Sequence, residues 1–245
     1  MPTAALVLVG EELLTGKFPD ENGPWAIRRL RELGTDLRRI SVIPDDATVI
    51  GEVVAADATR FDVVLTSGGV GPTHDDVTFA GIAQGFGLEL EVNDELVGLI
   101  RRFGLPENDA SRQMATIPAG AVLHWAAAES VPVVQVRNVF VFPGVPRLFK
   151  RKLECVAPWL TGAAVDHARL RVVHAEVAIA AALAAAAVRF PSVAIGSYPR
   201  SEPSEHVLVT LDSRDPVSLS RAFADLLAAL APADILVAPG GAARG

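Results

Sequence analysis

The sequence predicts an α/β fold: a three-layer, mostly parallel sheet followed by a small C-terminal α+β subdomain. Three observations predict it. An apolar run at residues 4–9 and strand-like segments at 40–43 and 61–66 alternate with amphipathic segments of helical length, the rhythm of βαβ units. The first run has no polar interruption, as expected of a strand covered on both faces. After residue 166 the order changes to strand, helix, strand, strand, helix, which suits helices on one face of an antiparallel sheet.

The elements follow in order. A polar loop after the first strand leads to a helix over about 24–33, with Pro24 in its first turn and Gly34 placed to end it. Residues 40–43 form a second strand, and Asp45-Asp46 precede a helix to about 58. The third strand, 61–66, runs straight into Ser67-Gly68-Gly69. Helices follow over 77–86 and 94–103. Residues 133–136 and 139–142 are short strands separated by Arg137-Asn138, the spacing of a tight hairpin. Pro143-Gly144-Val145-Pro146 then opens a helix to about 159. A Gly- and Ala-rich stretch at 160–166 marks a boundary, so the expected domains are 1–165 and 166–232, with a tail at 233–245 disordered at its end. The second domain is expected to hold strands at 170–175, 193–196 and 206–211 and helices at 177–189 and 219–230.

Composition excludes several classes of function. The 245 residues are half hydrophobic, enough for a real core, yet the longest apolar run, 177–188, is too short to span a bilayer. No basic region precedes the first strand, so no signal peptide is expected, and a cytoplasmic location follows. Cys155 is the only cysteine; it rules out an internal disulfide and reads as a buried helix residue. A net charge of −7 argues against nucleic-acid binding. The basic runs 28–31 and 150–152 lie in amphipathic helices and read as solvated faces.

The chemistry concentrates in Gly68-Gly69-Val70-Gly71-Pro72-Thr73-His74-Asp75-Asp76. A glycine-rich turn at the carboxyl end of a parallel strand brings backbone N–H groups close to an anion, and open α/β sheets bind ligands at that edge. The helix that follows adds its positive dipole end. One of Asp75 and Asp76 could cap that helix. Two adjacent carboxylates exceed what capping needs, and beside a phosphate they repel it unless a hard cation intervenes. Mg²⁺-like ions bind through one or two carboxylates plus substrate phosphates, so loop and acidic pair together suggest a metal-bridged diphosphate. This is not a Walker A loop, since no Gly-Lys-Ser/Thr follows, nor the dinucleotide fingerprint, whose third glycine would fall at His74. His74 is a base, a ligand or a loop side chain touching phosphate.

These residues resemble a family. GGVGPTHDD at 68–76 is similar to the signature of the molybdopterin-binding-like fold shared by MoaB, Mog, gephyrin and CinA, and VGEELLTG at 9–16 resembles the first-strand motif of CinA. Asp20-Glu21-Asn22 falls where the family often has Asn-Thr-Asn, Pro44-Asp45-Asp46 where it has Gly-Asp-Asn, and FPGVP at 142–146 at its later Pro-Gly-Pro-Pro loop. DVTFAGIAQGFG at 76–87, VRNVFVFPGVP at 136–146 and FPSVAIGSYP at 190–199 resemble the N-terminal molybdopterin-binding-like domain of two-domain eukaryotic FAD synthases. The resemblance implies hydrolysis of a nucleotide diphosphate linkage, in FAD or ADP-ribose, with a divalent metal (Mg, Mn or Co) and K⁺. It implies that Asp75 and Asp76 hold metal or orient water, and that Gly68, Gly69, Gly71 and Thr73 cradle phosphate. It adds Glu12, Asn22, Asp45 and His74 to the ligand surface and gives the far wall to Pro143 and Gly144. For Asn22 and Asp45, turn formation and loop capping are the alternatives. Mog-type proteins usually carry Arg where Asp75 stands, and the carboxylate favours a metal–diphosphate site. No synthase domain and no amidohydrolase domain follows in this sequence, so FAD synthesis and nicotinamide mononucleotide deamidation are not expected. The resemblance also implies a homo-oligomer, a dimer foremost. Three functions remain open: a nucleotide diphosphate hydrolase, molybdopterin binding or adenylyl transfer, and a non-catalytic nucleotide-binding module.

Overall fold

The computed structural model describes residues 2–125, 131–199, 207–230 and 235–237. The chain divides into two compact units, Met1–Gly162 and Ala163–Gly245. In chain order the first unit contains β1 (Thr3–Val9), α1 (Glu11–Leu14), α2 (Asn22–Glu32), β2 (Asp36–Ile43), α3 (Ala47–Arg60), β3 (Val63–Ser67), α4 (Thr78–Phe86), β4 (Leu90–Val92), α5 (Asp94–Arg102), α6 (Asp109–Met114), β5 (Thr116–Pro118), β6 (Val122–His124), β7 (Val133–Val136), β8 (Val139–Phe142) and α7 (Pro146–Leu160).

Its main sheet has the order β2-β1-β3-β8-β7-β6. The first four strands are parallel, and β7 and β6 join antiparallel. The two-residue side-chain period of β1 builds both faces. Leu6 and Leu8 point into a core with Ala26 and Leu30 of α2 and Phe149, Leu153 and Val156 of α7. Val7 and Val9 point the other way, to Ile50 and Val54 of α3, Ile82 of α4 and Leu96, Leu99 and Ile100 of α5. Helices thus cover both faces, the three-layer fold the sequence predicts. Full burial of such side chains stabilises by about 1.5–3 kcal/mol each. The helices α3 and α4 cross closely enough that a Cβ at Gly85 would collide with the Gly51 carbonyl oxygen.

Local chemistry sets the helix ends. Asp46 caps α3 by accepting from Thr48 N and Val49 N, Gly34 ends α2 at φ +78°, and Pro146 occupies the first turn of α7. Three expectations need correction. The strand expected at 40–43 begins at Asp36, because β2 is a sheet edge whose alternating half-exposed residues do not form an apolar run. The helix after the glycine loop begins at Thr78, two residues beyond Asp76. The 150–152 run is not wholly solvated: Lys152 lies on the buried face of α7 and donates from Nζ to the Val131 and Pro132 carbonyls at 2.6 and 2.9 Å. Cys155 is half-buried against the α2–α7 core.

The second unit contains β9 (Asp166–Val172), α8 (Glu176–Arg189), β10 (Ala194–Pro199), β11 (Val207–Ser213), α9 (Pro216–Ala229) and β12 (Ile235–Val237). Its antiparallel sheet has the order β10-β11-β9-β12. Val207, Val209 and Leu211 alternate inward against Ile179 and Ala186 of α8 and Leu219, Ala222 and Leu226 of α9. The segment read as a tail from 233 contributes β12, which pairs with β9, so the sheet extends past residue 232. The expected disorder at the end of that tail falls outside the described residues. No helix of the described residues is long and apolar enough to cross a membrane.

Candidate functional site

The sheet order places β2 and β3 on opposite sides of β1. A crevice opens at such a switch point, at the carboxyl ends of the strands. Four loops leave from that edge: Gly10 to Glu12 after β1, Asp45 after β2, the glycine loop after β3, and Pro143-Gly144 after β8.

Backbone geometry explains the first two glycines of the loop. Gly68 and Gly69 sit at φ +110° and +64°; a Cβ at Gly68 would collide with the Val9 carbonyl oxygen, and one at Gly69 with Thr78 Oγ1. The Gly68 N–H donates to Phe142 O at 3.1 Å, so this glycine shapes the cradle without offering its amide to a phosphate, a correction to its expected role. Thr78 fastens the loop to α4, donating from Oγ1 to Gly68 O and from its N–H to Gly69 O, each at 2.9 Å.

The acidic pair closes the other end. Asp76 does not cap α4, whose N-cap is Val77 with no side-chain bond. Its carboxylate folds back and accepts from Thr73 N at 2.8 Å and Thr73 Oγ1 at 2.5 Å. Both Thr73 donors are therefore engaged inside the turn, not directed at a ligand as expected. Asp76 Oδ2 also lies 2.6 Å from where a Gly71 Cβ would stand, so that glycine is small to admit the carboxylate. Gln113 of α6 donates from Nε2 to both Thr73 O and Asp76 O, at 2.8 and 3.1 Å.

Asp75 is exposed. Its carboxyl is held below the usual carboxylate range by the Thr73 hydroxyl first, then by its own backbone N–H, with a smaller contribution from His74. The hydroxyl has one proton for two neighbours, and the 2.5 Å contact gives it to Asp76. The His74 side chain is 98% exposed, with Nδ1 4.0 Å from Asp75 Oδ1, and no general base is built around it.

Asp45 accepts from Glu11 N at 2.8 Å. Burial pushes its carboxyl up; the Glu11 N–H opposes this, and repulsion from Glu12, Asp75 and Asp76 adds to it. Asp45 thus feels carboxylates from the loops after β1 and β3. A raised folded-state value means the native state holds the Asp45 proton more tightly than the unfolded chain does. That advantage is complete below the ordinary value of 3.8 and is lost as pH rises through the raised value, leaving a penalty at neutral pH. Asp45→Asn is expected to raise the Tm at neutral pH, with the gain vanishing below about pH 4. A Tm series from acid to neutral checks this; a lower Tm at neutral pH would show that the bond to Glu11 outweighs the repulsion.

Asn22 is a buried pin. Its Nδ2 donates to Ser67 Oγ at 2.9 Å and Gly144 O at 2.7 Å, joining the loops after β1, β3 and β8. Its Oδ1 is buried with no hydrogen-bond partner. Asp20 Oδ1 shapes the approach by accepting from Asn22 N at 2.8 Å and Gly23 N at 3.0 Å. Pro143 and Gly144 lie beside the start of the glycine loop: Ser67 Oγ donates to Pro143 O at 3.4 Å, and a Gly144 Cβ would stand 3.3 Å from Gly68 Cα. Glu12 is exposed and anchors its loop by accepting Lys17 N at 2.9 Å on its backbone oxygen. Sequence reading missed Glu11, Ser67, Thr78 and Gln113. Ser67 and Thr78 flank the glycine loop and were within reach; Gln113 gave no local signal. Among the described residues, no three His, Cys, Asp or Glu side chains converge as a ready-made metal site.

Residues 5–162 match the family described as a probable molybdopterin binding domain, and residues 166–238 match the FAD synthase middle domain. The chain belongs to the molybdopterin-binding domain family. A protein of Archaeoglobus fulgidus is 31% identical over 225 residues, covering 91% of this chain and 96% of its own length. A probable FAD synthase of Caenorhabditis elegans is 35% identical over 175 residues, 62% of this chain and 34% of the worm protein. The chain thus spans about a third of the FAD synthase it matches. The crystal structure of CinA from Thermoplasma acidophilum superposes with a TM-score of 0.59 at 27% identity, over 65% of this chain and 99% of that one.

Proposed function

We propose that this chain is a metal-dependent nucleotide diphosphate hydrolase acting on FAD or ADP-ribose. The observation that carries the reading is that the loops bearing Glu12, Asp45 and the Asp75-Asp76 pair leave one carboxyl edge of the sheet, beside the glycine loop at its switch point. Carboxylates at this edge would repel a diphosphate unless a cation came between them. Asp75, which is exposed, and the Asp76 oxygen not engaged by Thr73 suit a Mg²⁺-, Mn²⁺- or Co²⁺-type ion that completes its shell with substrate oxygens. Such an ion, when bound, offsets phosphate charge and lowers the pKa of a bound water; K⁺ is a further candidate. The chain itself supplies the Gly69 and Gly71 N–H groups, which no hydrogen bond among the described residues takes, for a phosphate oxygen. Asn22 ties Ser67, from which the glycine loop starts, to Gly144. In the reaction, water attacks one phosphorus and the bridging P–O bond breaks, giving AMP with FMN or ribose 5-phosphate. We further propose, from the family resemblance, a homo-oligomer in the cytoplasm, a dimer foremost, without nucleic-acid or membrane partners; a monomer mass by light scattering would contradict the oligomer.

A second reading, a cradle that binds a nucleotide or molybdopterin without turnover, is favoured by the engagement of Asp76 with Thr73 and by the family description. Incubating the protein with FAD, ADP-ribose, NAD and diadenosine phosphates, with each metal and with or without K⁺, separates the two. Release of AMP from FAD or ADP-ribose only with metal is expected. No AMP from any combination, with binding retained, would replace the hydrolase by the cradle.

A further inference from the structure

We propose that Gln113 is a positioning residue that holds the Thr73–Asp76 turn closed from α6 and thereby fixes where the two carboxylates face. Both acceptors of its amide are backbone carbonyls, at 2.8 Å on Thr73 and 3.1 Å on Asp76, so the nitrogen faces the turn and the orientation of the amide is settled by its partners. A Gln amide nitrogen has two protons, and here each goes to one end of the same four-residue turn. Within the turn, Asp76 N donates to Thr73 O at 3.1 Å, and Thr73 N and Oγ1 donate to the Asp76 carboxylate. These bonds close the ring of residues on itself. Gln113 adds a tie to a different element, 37–40 residues away. His74 and Asp75 lie between the clamped residues and project outward, so the direction of Asp75 is set by how its neighbours are held. The clamp has a firm base: Asn108 and Ser111 cap α6 reciprocally, and the following Ala115 is buried in the core.

The inference rests on the proposed function in one respect, that the acidic pair meets the ligand. Thr73 is exposed and Asp76 half-buried, so water should reach their carbonyls if Gln113 is removed. The fold should therefore tolerate the loss, whereas the direction of Asp75 should not. This separates positioning from simple support.

Gln113→Glu keeps the size and exchanges the two donors for an oxygen facing two carbonyls; Gln113→Ala removes the group. Amide exchange at Asp76, whose N–H spans the turn, reads the clamp without any activity. In both variants it should quicken, by about tenfold for Gln113→Glu, while the Tm moves by less than about 2 °C. With Mn²⁺ and ADP-ribose, kcat should fall about tenfold with KM changed less than about threefold, since a small misplacement of a reacting group acts on the transition state. In an Asp75→Asn background, Gln113→Glu should add little further loss, because both act on the same carboxylate. Unchanged exchange at Asp76 would overturn the proposal, as would equal kcat losses in the two backgrounds. If the unaltered protein shows no turnover, the hydrolase reading fails, and the exchange measurement still decides the clamp.

Discussion

Asp75→Asn should leave the fold intact and cut metal-dependent hydrolysis of ADP-ribose by about a hundredfold or more, the loss typical of removing one strong electrostatic contributor. Asp75 is exposed and caps no helix, and the Thr73 hydroxyl proton goes to Asp76. Its charge therefore has no structural use that an amide of the same shape would disturb. Asp76→Asn is a less clean test, because Asp76 also closes the turn on Thr73 and its loss would mix a loosened loop with a lost charge. Turnover and Tm measured on the same Asp75→Asn sample check the expectation. Unchanged turnover per folded molecule would remove Asp75 from the reaction.

Gly68→Ala should be among the most destabilising single changes in the first unit. The residue sits at φ +110°, where a side chain is strained, and the new Cβ would collide with the Val9 carbonyl oxygen of the neighbouring strand. Backbone strain and overpacking together suggest a loss of about 3 kcal/mol or more, a fall in Tm of roughly 6–12 °C for a unit of this size. Gly120→Ala is the control: it has a similar backbone demand, φ +75°, but open space around it, and should cost only about 1 kcal/mol. Denaturant midpoints for the two variants check this; equal losses would mean that β1 and the loop are not in close contact at Gly68.

Much of this molecule was legible in its sequence, for physical reasons that also mark where legibility ends. Strand β1 lies between two helical layers, so both its faces are apolar and the run at 4–9 announces it. The edge strand β2 and the three-residue strands β4, β5 and β6 carry no such run. The glycine loop was found because glycine is required where the chain must pass under Val9 and Thr78. The acidic pair beside it was found as a pair, but its division of labour was not, because an aspartate that caps a helix and one that folds back on a threonine look alike in sequence. Gln113 lies in a short helix that sequence reading left unassigned, and only the fold brings it to the turn. Lys152 was read as solvated because its charge was weighed and its helical phase was not; it shares a face with Phe149, Leu153 and Val156. Likewise β12 escaped as a tail because its pairing partner, β9, lies about 65 residues earlier.

The central claim is that a cation mediates between the acidic pair and a bound diphosphate, and calorimetric titration of a non-hydrolysable, methylene-bridged ADP-ribose analogue into the protein with and without Mn²⁺ tests it most directly. In the unaltered protein Mn²⁺ should tighten binding by about tenfold or more. In Asp75→Asn the metal should matter far less, while binding without metal should hold steady or tighten, since one charge that repels phosphate has been removed. An affinity that is the same with and without Mn²⁺ in the unaltered protein would contradict the claim.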